Sequence, residues 1–282
     1  MIAINQTAHE FLSIWLKDLP SDLKKIHINN LCFDSRQVQP GDAFVAMPSV
    51  AGNEAQYVGV SVESGAVLIL AQQEVSVPKS VALYLISDLV PFIGNALHDR
   101  LGRVCDKMLA IGITGTNGKS SISFYLAQLL NQLNNPCAVM GTLGYGDWQS
   151  LTETGMTTLP VDKLHQTLSK LSRAHAAIAM EVSSHGLEQG RLAGVEFKGA
   201  IFSNLTRDHL DYHGTMEAYG LAKAALFQWP SLDFAVINFD DDYSDDLIQL
   251  STCKNIIGYG QSEKCHLKFN FEEIHNQGMT VV

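Results

Sequence analysis

The sequence has little of what would mark a secreted, membrane-bound or nucleic-acid-binding protein. Its five cysteines (Cys32, Cys105, Cys137, Cys253 and Cys265) are odd in number, scattered, and form no Cys-x-x-Cys pair. That argues against a disulfide framework or a zinc site and points to a reducing compartment. No stretch approaches the roughly 20 apolar residues of a membrane span, and the start, Met-Ile-Ala-Ile-Asn-Gln-Thr, has no basic region leading into an apolar core. Positive charge is scarce: 19 Lys and Arg stand against 29 Asp and Glu, a net charge of −10. Neither a nucleic acid nor a membrane surface is therefore expected as partner, although a few placed cations suffice for a small anionic substrate. There is no internal repeat and no low-complexity linker. With 46% hydrophobic and 17% charged residues over 282 positions, the chain reads as a soluble, cytoplasmic, monomeric protein long enough for two domains.

What is present concentrates in residues 108–121, Met-Leu-Ala-Ile-Gly-Ile-Thr-Gly-Thr-Asn-Gly-Lys-Ser-Ser. An apolar run ends in a glycine-rich turn, and Ile122, Tyr125, Leu126, Leu129, Leu130 and Leu133 follow at helical spacing. Strand, loop and helix in that order are the setting of a phosphate-binding loop. Gly115 and Gly118 let the backbone approach an anion, and Thr116, Asn117 and Ser121 complete the cradle at the new helix start. Lys119 supplies a charge for the outer phosphates, and the Ser120 hydroxyl can ligate magnesium. Ile113 stands where the usual spacing places a glycine, so the loop is a variant. ATP and Mg2+ are the expected cofactors.

The region before residue 105 opens with a helical pattern (8–16), then strand-like runs at 43–47, 66–71 and 81–86, and a helix over 89–105. A domain boundary is expected near its end, giving domains 1–104 and 105–282. Beyond it, apolar runs at 109–114, 138–142, 176–182, 200–203 and 234–238 alternate with helical patterns. That is an α/β pattern with a mostly parallel sheet, whose ligands gather at the carboxyl ends of the strands. Residues 266–282 alternate as antiparallel edge strands, and 240–246 reads as a solvated acidic turn.

Three polar clusters fall at those strand ends. In Met180-Glu181-Val182-Ser183-Ser184-His185-Gly186-Leu187-Glu188-Gln189-Gly190-Arg191, Glu181 is placed to hold magnesium, while Gln189 and Arg191 suit a carboxylate or phosphate. In Asn204-Leu205-Thr206-Arg207-Asp208-His209-Leu210-Asp211-Tyr212-His213-Gly214, His209 is a candidate metal ligand, with Asp208 and Asp211 fixing its ring or the loop. Lys223 lies on a helical pattern with Thr215 as N-cap, where a surface charge is the plain expectation.

With Thr-Gly-Thr-Asn-Gly-Lys-Ser, Glu-Val-Ser-Ser-His-Gly-Leu, the Asn204–His213 cluster and Ala222-Lys223, the chain resembles the Mur ligases of peptidoglycan synthesis. It is most similar to the branch that adds the third residue of the stem peptide. Asp34-Ser35-Arg36 and Pro40-Gly41-Asp42-Ala43-Phe44-Val45-Ala46 extend the likeness into the first region. The resemblance implies a small α/β N-terminal UDP-binding domain followed by a P-loop-type ATPase domain. Uridine would lie near Phe33 and Ser35, with a diphosphate loop at 49–52, although Asn53-Glu54 replaces the family's usual Asp-Gly. Thr157, Thr158, Ser183, Gln189 and Arg191 match muramoyl-peptide positions. Ser120, Glu181 and His209 match the magnesium site, Lys223 matches a carbamylated lysine, and Asn238 and Asp240 fall near the adenosine. Lys119, Lys223 and His209 would be catalytic. The implied substrates are UDP-MurNAc-L-Ala-D-Glu, ATP and a diamino acid, joined as an amide through an acyl phosphate. The family's third, C-terminal ligase domain has no counterpart before Val282, so a two-domain form unable to complete the reaction alone is expected. A folylpolyglutamate synthase-like ligase and a binding module without turnover are the alternatives.

Overall fold

The computed structural model describes residues 1–48, 52–275 and 278–281. The diphosphate loop expected at 49–52 therefore lies, but for Gly52, outside the described residues. The chain divides into two compact units, Met1–Ala96 and Leu97–Val282. The division falls inside a helix, ahead of the boundary expected at 104/105.

The first unit begins with β1 (Ile2–Thr7) and the short α1 (Ala8–Leu12). Thr7 and Glu10 form a reciprocal cap at its start, each side chain accepting the other's backbone N–H. Then come β2 (His27–Cys32), β3 (Ala43–Ala46), α2 (Glu54–Glu63), β4 (Leu68–Ala71), β5 (Ala82–Leu85) and α3 (Leu89–Arg100). The sheet order is β1-β2-β3-β4-β5, antiparallel only between β1 and β2. Every residue of β3 and β4 is buried, which is why both read as unbroken apolar runs.

The second unit continues with β6 (Leu109–Thr114), α4 (Lys119–Gln132), β7 (Cys137–Gly141), β8 (Gly144–Asp147) and β9 (Ser150–Thr152). Next are α5 (Val161–Leu171), β10 (Ala177–Glu181), α6 (Ser184–Glu188), β11 (Phe197–Phe202), α7 (Leu210–His213) and α8 (Met216–Ala224). The unit ends with β12 (Phe234–Asn238), α9 (Ser244–Leu250), β13 (Ile256–Gly260), β14 (Leu267–Lys268), β15 (Phe271–His275) and β16 (Gly278–Val281). Nine strands form one sheet in the order β14-β13-β12-β11-β6-β10-β7-β8-β9, parallel from β14 to β7. The chain leaves β6 for β7 on one side and later returns to β11 on the other, so strand order reverses around β6. A crevice opens at such a point, outside the carboxyl ends.

Several expectations are corrected. Residues 144–152 form an antiparallel edge hairpin that the apolar-run pattern misses, because its strands hold little apolar sequence. Leu267–Lys268 pairs parallel to β13, and only β15 and β16 are antiparallel in the tail. On α4 the buried side is Ser123 and Ala127, with Ile122, Leu126 and Leu130 packed against the core. Tyr125, Leu129 and Leu133 are instead 65%, 58% and 74% exposed. They sit about 60° further round the helix, beyond the width that β7 and β10 cover. All five cysteines are free thiols. Among the described residues no helix is long and apolar enough to cross a membrane.

Candidate functional site

The phosphate loop sits at the carboxyl end of β6, pinned by the loop after β11. Thr116 N–H donates to Asn204 O (2.8 Å), Asn117 N–H to Asn204 Oδ1 (3.0 Å), and Ser203 Oγ to Asn117 O (2.6 Å). Gly115 (φ 141°) lies so close that a Cβ would overlap Ser203 Oγ and come within 3.0 Å of Asn204 N. Gly118 (φ 85°) opens α4 from the left-handed region, turning the first helical N–H groups toward the crevice.

Two lysines converge on one carbonyl. Lys119 Nζ donates to Gly115 O (2.8 Å) and Thr116 O (2.9 Å), and Lys223 Nζ donates to the same Gly115 O (3.0 Å). Lys223 is 1% exposed, which corrects the surface-charge expectation: α8 turns it inward, onto the face of Tyr219 (4.2 Å). Burial, with the like charge of Lys119, pulls its pKa down to about 7, while Asp208 acts the other way. Burial also lowers Lys119, opposed by the Glu181 and Asp208 carboxylates.

Glu181 ends β10 and is almost wholly buried. Thr142 N–H donates to its Oε1 (3.2 Å) and Thr142 Oγ1 to its Oε2 (3.1 Å). A hydroxyl has one proton to give, so the 2.9 Å contact between Thr142 and Thr157 is donated by Thr157. Thr158 Oγ1 donates to Glu181 O (3.3 Å) and accepts from Ser183 N–H and Ser183 Oγ, both at 3.0 Å. Ser183 in turn caps α6. Arg191 grips Gln189 Oε1 with two nitrogens (2.9 and 2.6 Å) and Thr158 O with a third, while Gln189 Nε2 donates to Tyr212 Oη (3.2 Å). The five residues expected to meet the peptide thus form one bonded patch beside Glu181.

His209 is the left-handed residue (φ 51°) before α7, with its side chain half exposed. Asp208 Oδ1 takes its N–H (2.8 Å). Its ring lies edge-on to His185 (5.0 Å between centroids) and Tyr219 (6.0 Å). Burial, with the neighbouring His209 and His213 rings, depresses the pKa of His185. Burial also depresses that of His213, opposed by the Glu188 carboxylate. Asn238 and Asp240 have committed side chains: Asn238 Nδ2 donates to Ser203 O (2.8 Å), and Asp240 accepts the N–H groups of Gln261 and Ser262. Asp241, expected to be solvated, receives Leu205 N–H. In the first unit Phe33 and Ser35 line a cavity of about 630 Å³ with Phe44, Tyr57 and the Asp34–Arg36 pair.

Sequence reasoning missed Thr142 and Tyr219 as members of the site, and placed Asn204 in a strand-end cluster without giving it a role. It also missed a His98, Asp106 and Glu196 cluster, where Arg103 already binds both carboxylates.

A family profile described as the Mur ligase middle domain matches residues 113–282. The UDP-N-acetylmuramoyl-L-alanyl-D-glutamate–2,6-diaminopimelate ligase of Ectopseudomonas mendocina is 42% identical over 249 residues, 87% of this chain and 51% of that protein. Its counterpart in Neisseria meningitidis serogroup B is 41% identical over 264 residues, 88% of this chain and 52% of that protein. A solved structure of a ligase with this name superposes with a TM-score of 0.80 at 30% identity, covering 99% of this chain and 59% of the other. The chain spans about half the length of the curated relatives it matches.

Proposed function

Since the chain belongs to the Mur ligase family, we propose that it serves ATP-dependent amide ligation in peptidoglycan synthesis, as a MurE-type protein acting on UDP-MurNAc-L-Ala-D-Glu. In this reading the D-Glu carboxylate takes the γ-phosphoryl group of ATP, giving an acyl phosphate and ADP. The amine of an incoming diamino acid then forms the amide and releases phosphate. The names of the two relatives favour 2,6-diaminopimelate over L-lysine as that amine. A reaction that consumes ATP would run in the cytoplasm, where ATP is available.

The observation that carries the reading is the convergence of Lys119 and Lys223 on Gly115 O, at the carboxyl end of β6. Phosphate oxygens would compete with the two loop carbonyls for the Lys119 ammonium, whose charge stabilises the transferring phosphoryl group. Asn238 and Asp240 would border the adenosine through the backbone at the end of β12. Thr157, Thr158, Ser183, Gln189 and Arg191 would hold the peptide, with the Arg191 fork already fixed in orientation. The uridine would occupy the cavity beside Phe33 and Ser35.

The donor set suits magnesium, a hard cation that takes oxygen ligands. Glu181 is buried and, among the described residues, no ion pair reaches it; with the Ser120 hydroxyl it would hold the ion, and His209 is a further candidate. Bound there, magnesium would neutralise charge as two anions approach. As an ammonium Lys223 is no ligand. A pKa of about 7 leaves much of its amine neutral near pH 7; that amine can add carbon dioxide, forming an N–C bond and releasing one proton, to give a carbamate.

Calorimetric titration with magnesium ADP and, separately, with UDP-MurNAc-L-Ala-D-Glu tests the reading. Saturable binding of both is expected. A folded protein that binds neither ligand overturns it.

A further inference from the structure

We propose that Tyr219 is a positioning residue of the nucleotide site, holding the phosphate loop by its hydroxyl and the Lys223 side chain by its ring. The proposal rests on the ATP-site reading above. Tyr219 is 1% exposed and lies on α8, one helical turn before Lys223. Its Oη is 3.3 Å from Thr116 Oγ1, inside the loop. The direction of that bond follows from counting protons. Thr116 Oγ1 donates its one proton to Thr206 O (3.2 Å) and accepts Thr206 N–H (2.9 Å). Its remaining lone pair faces Tyr219, so the phenol is the donor.

The Thr116 hydroxyl is therefore saturated by three partners, none of them a ligand. Its work is to tie the loop to Thr206 and to α8. The ring does the second task. Lys223 Nζ stands 4.2 Å from its centroid while donating to Gly115 O, so the ring face packs against the end of the side chain and attracts its protonated form. The His213 ring also lies against it, at 5.1 Å between centroids, and His213 Nε2 is bonded to Ser184 Oγ at 2.9 Å. Tyr219 thus packs against a ring held by the start of α6, and cannot swing away without breaking that contact. One side chain sets where Gly115 and Thr116 stand relative to the Lys223 nitrogen.

A purely space-filling tyrosine and a positioning one are separated by removing the hydroxyl alone. Magnesium ADP is titrated calorimetrically into the parent, Tyr219→Phe, Thr116→Val and the double variant. Binding by the parent is the control for the ATP-site reading: its failure removes that reading, and the same variants titrated with inorganic phosphate then decide the proposal by the same criteria. Given parent binding, Tyr219→Phe should weaken affinity about fivefold, the worth of one neutral hydrogen bond. In the Thr116→Val background the same change should have no effect, because the acceptor is gone. Carbon-13 lysine spectra supply the second readout. The Lys223 ε-CH2 signal, identified by its loss in Lys223→Arg, should be ring-shifted upfield in the parent and in Tyr219→Phe, and unshifted in Tyr219→Leu. Unchanged affinity in Tyr219→Phe, or a full-sized effect persisting without the Thr116 hydroxyl, overturns the proposal. If Tyr219→Leu does not fold, the Phe variant and the cycle still decide it.

Discussion

At the scale of single residues, chemistry here is decided by burial more than by residue type. Lys119→Ala should lower nucleotide affinity on the order of 10- to 100-fold, the range for a hydrogen bond made by a charged group. The fold should survive, because Gly115 O keeps its bond from Lys223. Calorimetry beside circular dichroism checks both halves, and unchanged affinity would remove the phosphate-loop assignment. Lys223 gives a pH prediction. Below about pH 7 it is protonated in both native and unfolded chains, and the native state carries the full penalty of a buried charge. Between about 7 and the ordinary 10.5, the native side chain has lost its proton and the unfolded one has not. The unfolded state then binds more protons, so stability must rise with pH across that window. Lys223→Met should flatten this limb, by an amount on the order of a few kcal/mol, in urea titrations at stepped pH. A parent whose stability falls over the same range would contradict the buried, depressed lysine.

At the scale of elements, amphipathic period identifies a helix better than it identifies the buried face. α5 shows both outcomes agreeing: Val161, Leu164, Leu168 and Leu171 are buried at helical spacing, and Pro160 starts the helix. Leu168→Ala, at a site with no exposure, should cost about 2–5 kcal/mol, read as a lower urea midpoint with little change in slope. A loss near zero would mean the helix does not anchor the sheet. α4 shows the two failing to agree, since Tyr125, Leu129 and Leu133 share the spacing yet stay exposed. The strands divide in the same way. β6, β7, β10 and β12 were legible as apolar runs because parallel strands covered on both faces need them. β8 and β9, glycine-bearing and half polar, carry no such signature.

At the scale of the whole molecule, two units with separate cores predict separable binding. In NMR titrations UDP should perturb residues of Met1–Ala96, centred on Phe33 and Ser35, and magnesium ADP those of Leu97–Val282, centred on the loop after β6. Uridine-dependent shifts confined to the second unit would show the sugar-nucleotide cavity to be misassigned.

The sequence by itself determined what depends on neighbours along the chain. The glycines, Lys119 and Ser120 at fixed offsets between a strand and a helix pattern specify a phosphate loop locally, and the alternation of apolar runs and helices specifies a parallel sheet. Only the tertiary structure decided which polar groups meet. Tyr219 reaches Thr116 across 103 positions, and Lys223 reaches Gly115 across 108. Such contacts arise because β11 is laid beside β6 and α8 packs back over their ends, and no local period encodes that placement. The same lysine that reads as a surface charge on its own helix becomes a buried amine with a pKa of about 7. Desolvation is set by every element covering a residue, and those elements are fixed only when the sheet is assembled.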